Sequence, residues 1–316
     1  MPDDNVKVVM IIGRGRSGST ILDNLLGEID GFFSAGQLHD IWKRWFMGFK
    51  CGCGKPVIEC ELWASVIGQS LLDRSGDKVD PARALAWRNE VLRLRHTRRL
   101  AGRSPSRLSD WPALEGYAHV MSRVYQSIAA ATGSKVIIDS SKLPAVAAFL
   151  QAVPGIRPYI VHLVRDPRAI AYSYQRTKLT VDRQMNREGS VESSLRYMYR
   201  HLASHAVART YPNERFIRLR YEDFVAHPSE TLERVAHLVG SHPTKLPVDD
   251  NGVATLRPNH TAAGNPSRFK VGPIQLRLDD EWITKQRTTD RLAASALTLP
   301  LLLHYGYPMF PHRANG

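Results

Sequence analysis

Three glycines, two arginines and three hydroxyl residues make up the run GRGRSGST (13–20), directly after an apolar stretch. Gly13, Gly15 and Gly18 allow a tight backbone turn that points N–H groups at one centre. Ser19 then opens a helix on which Ile21, Leu22, Leu25 and Leu26 share a stripe, so the helix's first amides face the same centre. Arg14 and Arg16 add forked donors matched to phosphate or sulfate oxygens. Residues Arg14, Arg16, Ser17, Gly18, Ser19 and Thr20 are therefore candidates to hold a tetrahedral anion.

The spacing almost repeats a nucleotide-binding P-loop, but Ser19 stands where that loop has its lysine. An ATP-using loop puts the lysine on the β- and γ-phosphates and a Ser/Thr on magnesium. A hydroxyl in that place, with no clear metal-holding aspartate apart from Asp139, favours a shorter anionic tail handled without a metal. A 5′-phosphosulfate has that description. A second anchor is VHLVRDPRAIAYSYQR (161–176). Asp166 reads as an N-cap and Pro167 as the first helical residue. Arg165 then emerges at a strand end, with Ser173 two turns along the helix on the same side, a pair able to clamp a second phosphate. The plain alternative for Arg165 is an ion pair with Asp166 or Glu222.

These residues need a scaffold. Residues 7–12, 135–139, 159–164 and 216–220 read as buried strands, each followed by polar punctuation and a helical pattern. The alternation predicts an α/β fold, a P-loop-like three-layer sandwich with a mainly parallel central sheet flanked by helices. The suggestive stretches 13–20, DSSK (139–142), RDPR (165–168) and RYED (220–223) each follow a strand's carboxyl end. Ligands of open parallel sheets gather there, so one shared site is expected. The chain 1–316 is read as a single domain, with a helical insertion at about 40–130 shaping an acceptor pocket. Within it, 81–100 and 113–131 read as helices, and Trp42, Trp45, Phe46, Trp87 and Trp111 are available as apolar walls. Later helices are expected at 191–210, 229–239 and 279–303.

The formal net charge of +13 favours an anionic partner. Part of it lies in RLRHTRRLAGRSPSR (93–107), which reads as a solvated helix face running into a loop or, alternatively, as a basic rim near an anionic substrate or a membrane surface. No aromatic-interleaved basic stripe or DNA-reading motif appears, which weakens a nucleic-acid-binding reading. The acidic start MPDD and Lys7 within the first apolar run argue against a secretory signal, and no run approaches the roughly 18–20 apolar residues of a membrane span. A cytoplasmic location is the expectation. All three cysteines, Cys51, Cys53 and Cys60, lie in CGCGKPVIEC (51–60). A zinc site would need a fourth ligand, and His39 is the nearest histidine, so a local disulfide or a buried thiol cluster is favoured and no metal is expected.

The two anchors resemble those of sulfotransferases that use 3′-phosphoadenosine 5′-phosphosulfate, in particular their bacterial branch. GRGRSGST is similar to the family's 5′-phosphosulfate loop, with Arg16 matching the basic residue before Ser-Gly-Ser/Thr. RDPRAIAYS is similar to its 3′-phosphate motif, with Arg165 and Ser173 as the matching pair. CGCGKPVIECELW (51–63), RYEDFVAHPSETLERVAHLVG (220–240) and NHTAAGNPSRF (259–269) resemble further stretches of that branch. The resemblance implies sulfuryl transfer from this co-substrate to a hydroxyl or amine of a small molecule, carbohydrate or lipid, with no metal required. It also implies that Gly264, Asn265 and Arg268 close over the nucleotide and its 3′-phosphate. Lys142 is then the candidate second cation on the sulfonate or bridging oxygen, beside Arg16. Family members often carry a glutamate where SAGQLHDIW (34–42) has Gln37, and an amide cannot take a proton. The general base is therefore expected at His39, then Asp40, then Asp139. The rival readings are a P-loop-type kinase acting on a small molecule and a non-enzymatic basic nucleic-acid-binding protein.

Overall fold

The segment VKVVMIIG is apolar at nearly every position, as a strand buried on both faces must be. It forms β1 (Val6–Gly13) at the centre of a sheet in the computed structural model, which describes residues 5–73, 75–176 and 187–311. Around it lie β2 (Phe32–Gly36), β3 (Val136–Lys142), β4 (Ile156–Val164) and β5 (Phe216–Arg220), in the order β2-β3-β1-β4-β5. All four pairings are parallel. Side-chain alternation divides the core into two. Val8, Met10 and Ile12 face a cluster containing Trp42, Trp63, Tyr117 and Phe149. Val9 and Ile11 face Leu22, Leu25, Phe224 and Leu232. Each such fully buried apolar side chain contributes roughly 1.5–3 kcal/mol over its exposed state.

The expected α/β class and parallel sheet are what the structure has, with five differences in detail. β2 was not anticipated, because FFSAG is short and carries no alternation. β3 runs on to Lys142 through a bulge: Met10 pairs with Asp139, but Ile12 with Lys142. Residues 81–100 form one helix only as far as Val91 (Pro81–Val91), after which two short turns bring Leu100 into the same core as Val91. The expected helix 279–303 is split into Trp282–Lys285 and Thr288–His304. A small antiparallel pair, β6 (Val253–Leu256) and β7 (Gly272–Gln275), was also unforeseen. Its long connection contains NHTAAGNPSRF.

Between β2 and β3 the chain builds a helical layer from Ile41–Met47, Glu61–Ser70, Pro81–Val91 and Pro112–Thr132. The aromatics expected to wall a pocket mostly serve this layer: Trp42 and Trp111 are buried in the core, with Trp45 and Trp87 packed against it. The arginine-rich stretch is tied down locally, with Arg99 stacked 3.9 Å from the Trp111 ring and Arg103 paired with Asp110 at 2.6 Å. Among the described residues no helix is long and apolar enough to cross a membrane.

Candidate active site

β1 lies between strands reached by crossovers in opposite directions, so its carboxyl end marks the sheet's switch point. A cavity of about 580 Å³ opens there. Its lining includes Arg14, Arg16, Gly18, Ser19 and Thr20 from the loop after β1, Lys142 from β3, Arg165 after β4 and Ser173 from helix Pro167–Gln175. Gly264, Asn265 and Arg268 line it from the β6–β7 connection, and Gln37, His39 and Asp40 from the turn after β2. Residues from five separated sequence segments thus meet in one place. Ser17 alone of the anion-loop candidates is not on the wall; it is buried behind it, and its hydroxyl has no hydrogen-bond partner.

Local geometry explains the loop. Gly18 caps helix Ser19–Leu26 at φ +83°, and a Cβ there would lie 2.5 Å from the Tyr221 ring. Two non-glycine residues also have left-handed backbones, Arg16 at φ 70° and Lys142 at φ 65°. Both line the cavity. Such conformations cost of order 1–3 kcal/mol and persist where the surroundings over-determine them.

The electrostatics are one-sided: among the described residues, eight lysine and arginine side chains stand on the wall against the carboxylates of Asp40, Glu188 and Asp279. Several of those cations are already engaged. Arg14 is bound to Glu188 and donates to the Tyr174 hydroxyl at 2.9 Å. Arg165 donates to the Arg16 carbonyl at 2.8 Å and pairs with Asp279 at 3.3 Å, not with Asp166 or Glu222. Asp166 instead caps its helix and pairs with Arg168 at 2.7 Å. Arg268 spends its guanidinium on the carbonyls of Thr261 and Lys50. Arg16 differs: all three of its guanidinium nitrogens are buried and without a hydrogen-bond partner among the described residues. Burial pulls its pKa down. A buried, unpaired cation in a basic cavity is a ready receptor for an anion.

Lys142 is likewise weakened by burial, its pKa lowered to about 8 with Asp23 opposing the fall. Burial holds His39 neutral, with a pKa lowered to about 3, and its Nδ1 has no partner. Asp40 sits between Arg44 at 3.7 Å and Arg88 at 3.6 Å. Asp139 is fully buried off the cavity wall, where it accepts from the Tyr125 hydroxyl at 2.8 Å and the Ser141 amide at 2.9 Å. That placement removes it from the candidate bases.

Sequence reasoning missed Arg196 and Arg200, which stand one turn apart on helix Ser190–Ala208 and line the cavity. Their spacing of four was the available signal. It also missed Glu188, which binds both Arg14 and Arg196, and Tyr174, which lies beneath both loop arginines. The three cysteines form no disulfide and lie together with Cys51 and Cys60 buried, the second of the two expected arrangements. The histidine beside them is His260, not His39.

With this geometry established, residues 9–242 match a family model described as "Sulfotransferase family". No curated protein matches the sequence. The sulfotransferase domain from the curacin biosynthetic pathway superimposes with a TM-score of 0.53 at 16% identity, covering 96% of this chain and 99% of that one. The sulfotransferase domain from the Synechococcus PCC 7002 olefin synthase does so with a TM-score of 0.51 at 18% identity, covering 97% of each chain. At these identities the likeness is one of fold.

Proposed function

The chain belongs to the sulfotransferase family, and from that premise we propose that it transfers a sulfuryl group from 3′-phosphoadenosine 5′-phosphosulfate to a hydroxyl or amine of a small acceptor. The observation that carries this reading is Arg16, an unpartnered buried guanidinium held in a strained backbone at the end of β1. The loop amides, Ser19 and Thr20 take the 5′-phosphosulfate with it. Arg165 and Ser173 take the 3′-phosphate, and Gly264, Asn265 and Arg268 form the roof, which the Asn265 amide ties to the Thr20 hydroxyl at 3.2 Å.

Transfer makes a bond from the acceptor oxygen or nitrogen to sulfur and breaks the bond from sulfur to the bridging phosphate oxygen. The departing nucleotide keeps that electron pair, and the acceptor proton passes to a base. Lys142 and Arg16 stabilise the charge that grows on the bridging and sulfonate oxygens. His39 is the base we favour, because its Nδ1 is free and its ring is neutral. Besides burial, Lys142 and Arg200 lower it, and both line the cavity where a bound anion would offset them. Asp40 is the second choice, since two arginines already hold its carboxylate. The helical layer between β2 and β3 forms the acceptor side, as a small molecule, sugar or lipid headgroup would require. The absence of a disulfide among Cys51, Cys53 and Cys60 accords with a reducing, cytoplasmic setting.

The test is a magnesium-free assay with the sulfated nucleotide donor and a panel of phenols, sugars and alcohols. Formation of adenosine 3′,5′-bisphosphate that depends on acceptor supports the reading. Turnover only with ATP and magnesium would instead favour the phosphotransferase.

A further inference from the structure

The motif CGCGKPVIEC has no part in the chemistry above, yet the fold gathers its three sulfurs beside a histidine some two hundred residues away. The Sγ atoms of Cys51, Cys53 and Cys60 and a ring nitrogen of His260 all lie within 4.8 Å of one another. Cys60 Sγ is 3.3 Å and Cys51 Sγ 3.9 Å from His260 Nδ1. A tetrahedral zinc with bonds of about 2.3 Å to sulfur and 2.0–2.1 Å to nitrogen has donor–donor edges of roughly 3.5–3.8 Å. With separations up to 4.8 Å, the widest must close by about 1 Å to reach that shape.

We propose that Cys51, Cys53, Cys60 and His260 bind one Zn²⁺ in a closed structural site that fastens the helical layer to the roof of the cavity. The surroundings are built for it. Cys51 and Cys53 sit on a tight turn in which the Gly54 amide donates to the Cys51 carbonyl at 2.9 Å. Cys60 is the N-cap of helix Glu61–Ser70. Backbone amides of Cys53 and Trp63 face the sulfurs of Cys51 and Cys60, as thiolate ligands require.

His260 is clamped from its own side. Its carbonyl accepts from Trp63 Nε1 at 2.7 Å, and the Gly52 amide donates to the Thr261 carbonyl at 3.0 Å. A Cβ on Gly52 would lie 2.0 Å from Asn259 Oδ1, so only glycine lets the two strands of chain approach this closely. Binding converts three thiols to thiolates, releases three protons to solvent and leaves the imidazole neutral, giving a site of net charge −1. Four protein ligands leave no position for water, so the metal holds structure and does no chemistry.

The full chain, purified without chelator, is analysed for zinc and then reloaded with Co²⁺ as a spectroscopic probe. About one zinc per chain is expected, with cobalt giving an intense sulfur-to-metal charge-transfer band and tetrahedral d–d bands. Cys53→Ser, at the least buried of the sulfurs, and His260→Ala are expected to lose at least half the bound zinc and to weaken the charge-transfer band. The proposal is overturned if folded wild-type chain holds no zinc and takes up Co²⁺ without a thiolate band. A disulfide within 51–60 in freshly purified protein, or undiminished zinc in both variants, overturns it equally. If the variants do not fold, the wild-type zinc count and cobalt spectrum still decide the matter. These readouts need no sulfuryl transfer, so they stand apart from the assay of function.

Discussion

At the level of single residues, Arg16 combines two costs that folding alone does not explain: a left-handed backbone and a guanidinium with no hydrogen-bond partner among the described residues. Replacing it with methionine keeps the volume and removes the buried charge. Arg16→Met is therefore expected to leave the unliganded protein as stable as wild type or more so. It should weaken binding of the sulfated donor by roughly 10- to 150-fold, the equivalent of a charged hydrogen bond of about 1.5–3 kcal/mol. Calorimetric melting with and without ligand separates the two effects, and a destabilised unliganded variant would contradict the argument. Lys142 gives a pH signature. Its pKa of about 8 means that above this pH the free enzyme carries a neutral amine. Binding an anion beside it must then take up a proton, so affinity for adenosine 3′,5′-bisphosphate should fall as pH rises past about 8. Lys142→Arg, which stays protonated, should flatten that fall in a titration series. Arg16 was legible in the sequence because its glycine neighbours surround it. The pairing that leaves Arg16 alone, with Arg14 on Glu188 and Arg165 on Asp279, was not, because it joins residues more than a hundred positions apart.

Elements place these groups through a few backbone constraints. The bulge in β3 lies where Lys142 enters the cavity, and Gly18 starts helix Ser19–Leu26 against the face of Tyr221. Gly18→Ala adds both a positive-φ penalty and a contact with a ring that packed neighbours hold in place. It should lower the melting temperature and impair donor binding together, whereas a variant that melts and binds like wild type would refute the constraint. On the far side of β4, helices Ser190–Ala208 and Thr288–His304 meet over a histidine cluster. His162 Nε2 lies 3.0 Å from His201 Nδ1, and the Tyr305 hydroxyl bridges His201 and His205 at 3.1 and 2.8 Å. Burial is the main reason all three histidines have lowered pKa values, with His205 brought to about 4. A depressed histidine contributes stability above its unfolded pKa of about 6.5 that is lost as pH falls toward the folded value. The protein should thus lose thermal stability between about pH 6.5 and 4, and His205→Gln should reduce the slope of that loss. Helix Ser190–Ala208 was readable from its apolar period, but this cluster was not, since nothing local distinguishes a histidine that meets two others from one in water. β2 escaped notice for a related reason: its five residues are strand only because β3 pairs with them.

The whole molecule carries a net charge of +13, and its fold concentrates cations at one cavity while leaving others on the surface. That separation predicts two anion responses with different salt dependence. Exposed arginines attract polyanions by releasing condensed counterions, so any DNA binding should weaken steeply between low and physiological salt. The cavity is smaller, partly desolvated and shaped by backbone amides, where screening is weaker. A ligand that binds only the folded chain stabilises it by about 2.7 kcal/mol at a hundred times its dissociation constant. For a chain of this size each kcal/mol moves the melting temperature by roughly 1.5 °C. Adenosine 3′,5′-bisphosphate at saturating concentration should therefore raise the melting temperature by about 4 °C, with much of the rise retained at physiological salt. Adenosine 5′-monophosphate, which lacks the phosphate meant for Arg165 and Ser173, should raise it by clearly less, and Ser173→Ala should narrow the gap between the two ligands. Equal shifts from both nucleotides in wild-type protein would mean that the 3′-phosphate has no receptor here. A shift abolished by salt would mean that surface charge, and not the convergence of four strand ends on one cavity, governs what the protein holds.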